Sequence, residues 1–185
     1  RPNISLKVVP GNSTPEKDVN AIVEQWEAYG HQGSTVIYCR KRKTTDMLAE
    51  LLRTRMQSMG VAVASYHAGK PPADLTNIYN EFVAGTVQIV VATVAFGMGI
   101  DKQNVRLVIQ YELPSTIDQL QQQIGRAGRD GKSATAVMFA IRSDIYKIKM
   151  LQKDKRDALE AFEEVCSVIF ENHGCRRAKI LWAYE

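Results

Sequence analysis

The chain has 185 residues, of which 45% are hydrophobic and 24% charged, with a formal net charge of +4. This length and composition exclude a disordered chain and predict one globular domain with a core of its own, together with a small appendage at most. The excess of basic over acidic residues is compatible with nucleic-acid binding, although many proteins that do not bind nucleic acid are equally basic. No apolar run approaches the roughly 18 residues of a membrane helix, and no signal peptide opens the chain, so we expect no membrane association. The three cysteines form no even disulfide framework, which indicates a reducing, intracellular compartment.

Strands and helices are predicted in alternation along most of the chain. The predicted strands are residues 4–9, 34–39, 61–66, 87–92, 105–111 and 134–141. The predicted helices begin at a capping box of Ser13 and Glu16, at Thr44 or Thr45, at Pro71-Pro72, at Ser115 with Asp118, and at Ser143. Such alternation predicts an α/β fold with a doubly wound, mainly parallel sheet covered by helices on both faces.

The pattern changes at about residue 155. Apolar residues keep helical spacing there, and no strand is predicted after them. We therefore expect a main α/β unit over residues 1–154 and a short C-terminal helical extension over residues 155–185. Because the chain begins at Arg1 and not at Met, we expect it to be a fragment.

Two loops that follow predicted strands contain candidate phosphate contacts, since ligands of doubly wound sheets collect at the carboxyl ends of the strands. The first contains Arg40 and Arg42 in a run of four cations just before a helix. It is interpreted either as a solvated charge run or as a nucleic-acid phosphate site. The second contains His67, which by its residues alone is interpreted as a lone core histidine.

The loop from Thr93 to Asp101 is more specific. Small residues alternate there with Phe96 and Met98, which predicts backbone packed tightly against a partner. Thr93 offers a hydroxyl to a nucleic-acid phosphate, Gly99 allows a nucleotide to approach, and Asp101 offers an acceptor for a ribose hydroxyl. A glycine-rich turn with a capping aspartate would explain Asp101 alone.

The stretch Gln122-Gln123-Ile124-Gly125-Arg126-Ala127-Gly128-Arg129-Asp130-Gly131 places two arginines three residues apart, near the end of a predicted helix. Guanidinium groups at this spacing can reach one target together, and the target that suits paired arginines is a phosphate chain.

Together the stretches 93–101 and 122–131 resemble motifs V and VI of superfamily 2 helicases. The sequence AFGMGIDK…GRAGRDG resembles that of the RecQ family of DNA helicases. The resemblance runs from Arg1 to Arg177 and covers only the second of the family's two RecA-like motor lobes. It implies that Arg129 is the arginine finger, that Arg126 is its neighbour at the γ-phosphate, and that Gln122 opens the motif. It also implies that His67 lies beside the DNA path.

The resemblance also implies the cofactors and partners. ATP with Mg²⁺ would be shared with an absent first RecA-like lobe, and the lobes would step 3′ to 5′ on DNA, at the junction of single strand and duplex. Roles in DNA replication, recombination and repair would follow, in the nucleus of a eukaryote or the cytoplasm of a bacterium. Gln110 and Gln123 stand where many family members have His and Glu, so the details of coupling in this chain stay open.

The resemblance further implies that residues 155–185 begin a zinc-binding subdomain, with Cys175 as its first ligand. A structural zinc site needs four ligands, and the three partner cysteines would lie downstream. We therefore expect zinc in the full-length protein but not in this chain.

Both a P-loop and an Asp-Glu-x-His box are missing from the sequence. Residues 126–133 match the P-loop pattern only in their last three residues, Gly131-Lys132-Ser133. Arg126 stands where the pattern needs its first glycine, and the stretch precedes a predicted strand instead of following one. We therefore expect this chain alone to be inactive. Two alternatives stay open: a lobe of an RNA helicase or chromatin remodeller, and a non-catalytic nucleic-acid-binding or scaffolding module that would have no use for a finger.

Overall fold

Six parallel strands form the centre of the protein. The computed structural model describes residues 1–12, 14–97, 101–152, 155–171 and 174–182. The strands are β1 (Ile4–Pro10), β2 (Ser34–Tyr38), β3 (Val63–Tyr66), β4 (Ile89–Ala92), β5 (Val105–Gln110) and β6 (Ala134–Ala140). Their order across the sheet is β1-β6-β5-β2-β4-β3, and each neighbouring pair is parallel. The predicted α/β class with a parallel sheet is confirmed.

Seven α-helices surround the described part of the sheet. They are α1 (Pro15–Gln25), α2 (Arg42–Met56), α3 (Pro72–Ala84), α4 (Ile117–Ile124), α5 (Arg142–Gln152), α6 (Arg156–Phe170) and α7 (Arg176–Trp182). A π-helical turn, Trp26–Gly30, extends α1, and a 3₁₀ turn, Gln57–Met59, extends α2.

The sheet separates two hydrophobic cores. Successive side chains of a strand point to opposite faces, so Val36 and Ile37 of β2 enter different cores. One core packs against α1 and α2 through residues such as Leu48. The other packs against α3, α4 and α6 through residues such as Phe82 and Phe162. Helices therefore cover both faces, as predicted.

The C-terminal helices pack on the main unit. Phe162, Val165 and Ile169 of α6 are at most 1% exposed and belong to the same core as the strands. A guanidinium nitrogen of Arg177 in α7 donates to the carbonyl oxygen of Ile4 at 2.6 Å. The predicted boundary after residue 154 stays a prediction, but α6 and α7 share the core of the unit before it.

Several predicted helix starts are wrong by one to three residues. Thr116, not Ser115, caps α4, and its hydroxyl accepts from the Gln119 backbone N–H at 3.2 Å. Helix α2 begins at Arg42, before the two threonines, and α5 begins at Arg142, which places Ser143 inside the helix. Ser13 lies outside the described residues, and the N-cap of α1 is Thr14, which precedes a proline.

Candidate nucleotide and nucleic-acid site

The arginine loop, residues 125–131, is anchored to the amino-terminal end of the sheet. Gly128 has a φ of 56°, a conformation that glycine adopts readily, and its N–H donates to the carbonyl of Val105, the first residue of β5, at 2.9 Å. The side-chain amide of Asn3 donates to the carbonyls of Gly128 and Lys132, each at 2.8 Å. These contacts fix the backbone between the two arginines.

A second anchor joins Asp130 to Arg106 of β5. A guanidinium nitrogen of Arg106 lies 2.7 Å from each carboxylate oxygen of Asp130, and the guanidinium also donates to the carbonyls of Ser133 and Gln103. The hydrogen bond from Arg106 holds the pKa of Asp130 below its usual value. The aspartate of the motif is therefore a structural anchor of the arginine loop.

Arg126 lies against Gly97 and Tyr38. A Cβ atom placed on Gly97 would lie 3.3 Å from Nη2 of Arg126, so the glycine lets the guanidinium approach the backbone closely. The Tyr38 hydroxyl hydrogen-bonds Arg126 and donates to the carbonyl of Phe96 at 2.9 Å. Burial raises the pKa of Tyr38 to about 12, so the hydroxyl keeps its proton at neutral pH.

Arg129 forms an ion pair with Asp101. Its Nη1 atom lies 3.0 Å from Oδ1 of the carboxylate, and the two side chains are 25% and 77% exposed. The two stretches singled out in the sequence therefore meet in the fold. Gln122 is exposed and lines a small cavity with Arg126 and Gly97. Gly99 lies outside the described residues.

The predicted nucleic-acid residues follow the carboxyl ends of β2, β3 and β4, which are neighbours in the sheet. Arg40 and Arg42 follow β2, His67 follows β3, and Thr93 follows β4. They therefore share one edge of the sheet, called here the carboxyl edge, whereas the arginine loop is anchored at the opposite end of β5.

His67 is held by protein groups on both ring nitrogens. Its Nδ1 accepts from the N–H of Gly69 at 3.1 Å, so Nε2 is left to donate to Asp46 at 2.9 Å. Asp46 also accepts from the hydroxyl of Ser65 at 2.8 Å. A Cβ on Gly69 would lie 3.2 Å from Nη1 of Arg42. His67 therefore shapes the turn against which Arg42 packs.

A carboxylate occupies the amino terminus of α2. Glu112, after β5, accepts from the backbone N–H groups of Arg40 and Lys41 at 2.7 and 3.0 Å, and from the Thr44 hydroxyl at 3.2 Å. The Thr45 hydroxyl donates to the carbonyl of Lys41. Glu112 therefore holds the two backbone N–H groups that precede α2, together with one hydroxyl of its first turn.

Sequence reasoning missed three residues that organise these places: Tyr38, Asp46 and Glu112. Tyr38 and Asp46 each carried a signal, since a tyrosine inside an apolar strand needs a partner for its hydroxyl and a carboxylate close to a run of four cations needs an explanation. The identity of the partners depended on the strand order, which the sequence does not state.

Cys175 is exposed and lies at the start of α7. Backbone N–H groups of Ala178 and Arg177 lower the pKa of its thiol. Among the described residues, no three His, Cys, Asp or Glu side chains form a group that could hold a metal ion, so Cys175 does not fit a zinc site by itself. No described helix is both long and apolar enough to span a membrane.

Comparisons with known proteins identify the family of the chain. Residues 17–131 match the family model of the helicase conserved C-terminal domain. The chain is 34% identical to the putative ATP-dependent DNA helicase Q1 of Caenorhabditis elegans over all of its own length and 29% of the relative's. It is 38% identical to the ATP-dependent DNA helicase RecQ of Haemophilus influenzae, over 80% of this chain and 24% of that protein.

Two solved structures share the fold. The helicase Lhr of Mycobacterium smegmatis, solved with ssDNA and AMP-PNP, matches with a TM-score of 0.64 at 23% identity, over 84% of this chain and 22% of that one. Dbp5 of S. cerevisiae, solved with gle1 and ip6, matches with a TM-score of 0.67 at 21% identity, over 85% and 41%. The chain thus spans under a third of the curated relatives described above, and it belongs to the helicase conserved C-terminal domain family, with RecQ-type DNA helicases as its relatives.

Proposed function

We propose that this chain is the second motor lobe of an ATP-dependent, 3′–5′, RecQ-like DNA helicase and that it supplies the arginine finger. The observation that carries the proposal is the meeting of two stretches about 30 residues apart. Arg126 lies against Gly97 while Arg129 is paired with Asp101. A binding module has no need of two arginines on a loop fixed at both ends, whereas a phosphoryl-transfer site does.

The groups present fit one side of a nucleotide site. Bound ATP with Mg²⁺ supplies the phosphoryl group, on whose oxygens negative charge is stabilised during transfer. Arg129, the finger, is partly exposed and can exchange the carboxylate of Asp101 for phosphate oxygens. Asp101 is then available to a ribose hydroxyl beside Gly99. Arg126 and Gln122 border one cavity, and Arg126 takes the place beside the finger at the γ-phosphate.

The carboxyl edge forms part of the DNA track in this proposal. Arg42 and Thr93 contact backbone phosphates, because cations and hydroxyls are the usual phosphate donors. Arg40 belongs to the same loop, but both of its terminal guanidinium nitrogens are buried. His67 acts by positioning, since both of its ring nitrogens are engaged inside the protein. The RecQ relatives are named DNA helicases, which favours DNA over RNA as the partner.

The remaining parts of the motor would come from outside this chain. The sequence has no P-loop and no Asp-Glu-x-His box, so ATP hydrolysis needs the first RecA-like lobe and the chain alone is inactive. Zinc enters only as a site completed by other cysteines, with Cys175 as its first ligand. The same proposal includes a DNA junction as the substrate and roles in DNA replication, recombination and repair. It places the protein in the nucleus of a eukaryote or in the cytoplasm of a bacterium.

The test joins this chain to its native first lobe and measures DNA-stimulated ATP hydrolysis. Arg129→Ala should keep ATP binding but lower turnover by roughly 10² or more, because a finger acts mainly in the transition state. Lys132→Ala is the matched control, since it removes an exposed cation of the neighbouring turn whose side chain is outside the site. Unchanged turnover in Arg129→Ala would leave the arginine loop as a basic surface and favour the non-catalytic module.

DNA binding is tested separately with Arg42→Ala. Loss of one phosphate contact should weaken binding evenly across sequences and reduce the slope of log affinity against log salt by about 1. Arg55→Ala, at the other end of α2, removes the same charge away from the carboxyl edge. Stimulation of the joined protein by DNA but not by RNA would separate it from an RNA helicase lobe.

A further inference from the structure

A cavity of about 110 Å³ lies between the loop after β2 and helix α4. This polar cavity is lined by Arg40, Gln110, Glu112, Gln119 and Gln123, with apolar walls from Tyr38, Cys39, Val94, Leu113 and Pro114. It therefore lies between a predicted DNA contact, Arg40, and the helix that leads into the arginine loop.

The polar cavity contains buried atoms with unused hydrogen-bonding capacity. Gln110 is 0% exposed, and neither its Oε1 nor its Nε2 has a hydrogen-bond partner among the described residues. The same holds for Oε1 of Gln123, which is 7% exposed, and for both terminal guanidinium nitrogens of Arg40. Buried polar groups are nearly always bonded, and a cavity of this size has room for several water molecules.

A second cavity continues from the first. It is lined by Tyr38, Val94, Phe96, Gly97, Gln119, Gln122, Gln123 and Arg126, four of which also line the polar cavity. Gln123 precedes Arg126 by three residues on the same helical turn, and the Tyr38 hydroxyl bonds Arg126. A continuous set of walls therefore runs from Arg40 to the neighbour of the finger.

We propose that the polar cavity is a hydrated link between the DNA edge and the arginine loop, in which Gln110 and Gln123 are positioning residues. In this link, water hydrogen-bonds both glutamine side chains and the Arg40 guanidinium. The position of that guanidinium is therefore coupled to the position of α4. When DNA binds at the loop that contains Arg40 and Arg42, the network shifts α4 and with it Arg126. The inference rests on the proposed function, because it assigns to these glutamines the stimulation of ATP hydrolysis by DNA.

The test uses the protein joined to its first lobe. Gln110→Met and Gln123→Met keep the length of the side chain and remove its polar atoms. Stimulation by DNA should fall about tenfold, within the usual range for coupling between sites, while basal hydrolysis and the KM for ATP stay unchanged. The thermal midpoint should hold or rise, because an apolar group replaces buried polar atoms that lack protein partners. Gln121→Met, an exposed glutamine of α4, is the matched control.

A double variant tests whether polarity is what matters. Gln110→His with Gln123→Glu keeps polar side chains at both positions of the cavity lining, and it should retain the stimulation that either methionine removes. Full stimulation in both methionine variants overturns the inference. So does a joint fall of basal hydrolysis and thermal midpoint, which would mark a purely structural role. If DNA fails to stimulate the unmodified protein, or Arg129→Ala leaves turnover unchanged, the proposed function itself fails, and the link fails with it.

Discussion

Gly128 and Gly131 offer a paired test of how the arginine loop is held. Both have positive φ, 56° and 79°, so an alanine at either position costs roughly 1–2 kcal/mol of backbone strain. Loss of glycine's freedom in the unfolded chain returns about 0.4–1 kcal/mol. Nothing lies within 4 Å of a Cβ on Gly131, so Gly131→Ala should lower the free energy of unfolding by about 1 kcal/mol.

Gly128→Ala adds a collision to the same strain. Its Cβ would lie 2.4 Å from the side-chain nitrogen of Asn3 and 2.8 Å from the carbonyl oxygen of Lys132. Displacing Asn3 breaks its two hydrogen bonds, worth about 0.5–1.5 kcal/mol each. The total loss should therefore reach about 3 kcal/mol or more, summed from these contributions.

Urea unfolding followed by circular dichroism measures the difference. With a slope of roughly 2 kcal/mol per molar, the midpoint should fall by about 0.5 M for Gly131→Ala and by about 1.5 M for Gly128→Ala. In the joined protein, Gly128→Ala should also lower DNA-stimulated turnover, because displacement of Arg129 by about 1 Å can cost on the order of 100-fold. Equal midpoints for the two variants would refute the view that Asn3 and the Lys132 carbonyl fix this loop.

Three further outcomes follow from the carboxylates and the thiols. Asp130→Asn should destabilise the chain at pH 7. In pH-dependent unfolding the difference from the unmodified chain should begin to shrink only below about pH 4, the value for an unfolded aspartate, and should be lost when the pH falls through the lowered pKa of folded Asp130. Asp46→Ala should weaken DNA binding about 3–10-fold in fluorescence anisotropy, although it removes a negative charge, because it frees His67; Glu50→Ala should not. Cys175, exposed and with a lowered pKa, should be alkylated before the other two cysteines at pH 7 in mass spectrometry, and its rate should rise with pH.

Hydrophobic patterning predicted the sheet because its central strands, β5, β2 and β4, are buried on both sides. Val36 and Ile37 are both fully buried, which requires cover on both faces and therefore a parallel sheet between helices. Helix starts were less predictable. Ser115 and Thr116 are equivalent capping residues by type, and the choice of Thr116 depends on the direction in which the chain leaves β5.

The arginine loop was predictable only through a motif. Asp101 and Arg129 lie 28 residues apart, and no periodicity links them, so the resemblance brought them together before the fold did. The partner of Glu112 had no such guide. Its carboxylate reaches residues 68 to 72 positions away because β5 lies beside β2, and that neighbourhood is a property of the strand order.

The hydrogen bonds that hold the arginine loop and the carboxyl edge constrain how the chain can change its structure when ligands bind. The arginine loop is bonded to β5 through Arg106 and Val105, while the carboxyl edge is bonded to the other end of β5 through Glu112. One strand of a closely packed sheet therefore joins the arginine loop to the carboxyl edge. Packed protein interiors have low compressibility, so they transmit a displacement with little internal deformation. Large changes within the lobe would break several of these bonds at once. In the motor proposed above, a ligand-driven change should therefore appear chiefly as rotation of this unit against the first lobe, with small adjustments confined to the side of α4 that faces the polar cavity.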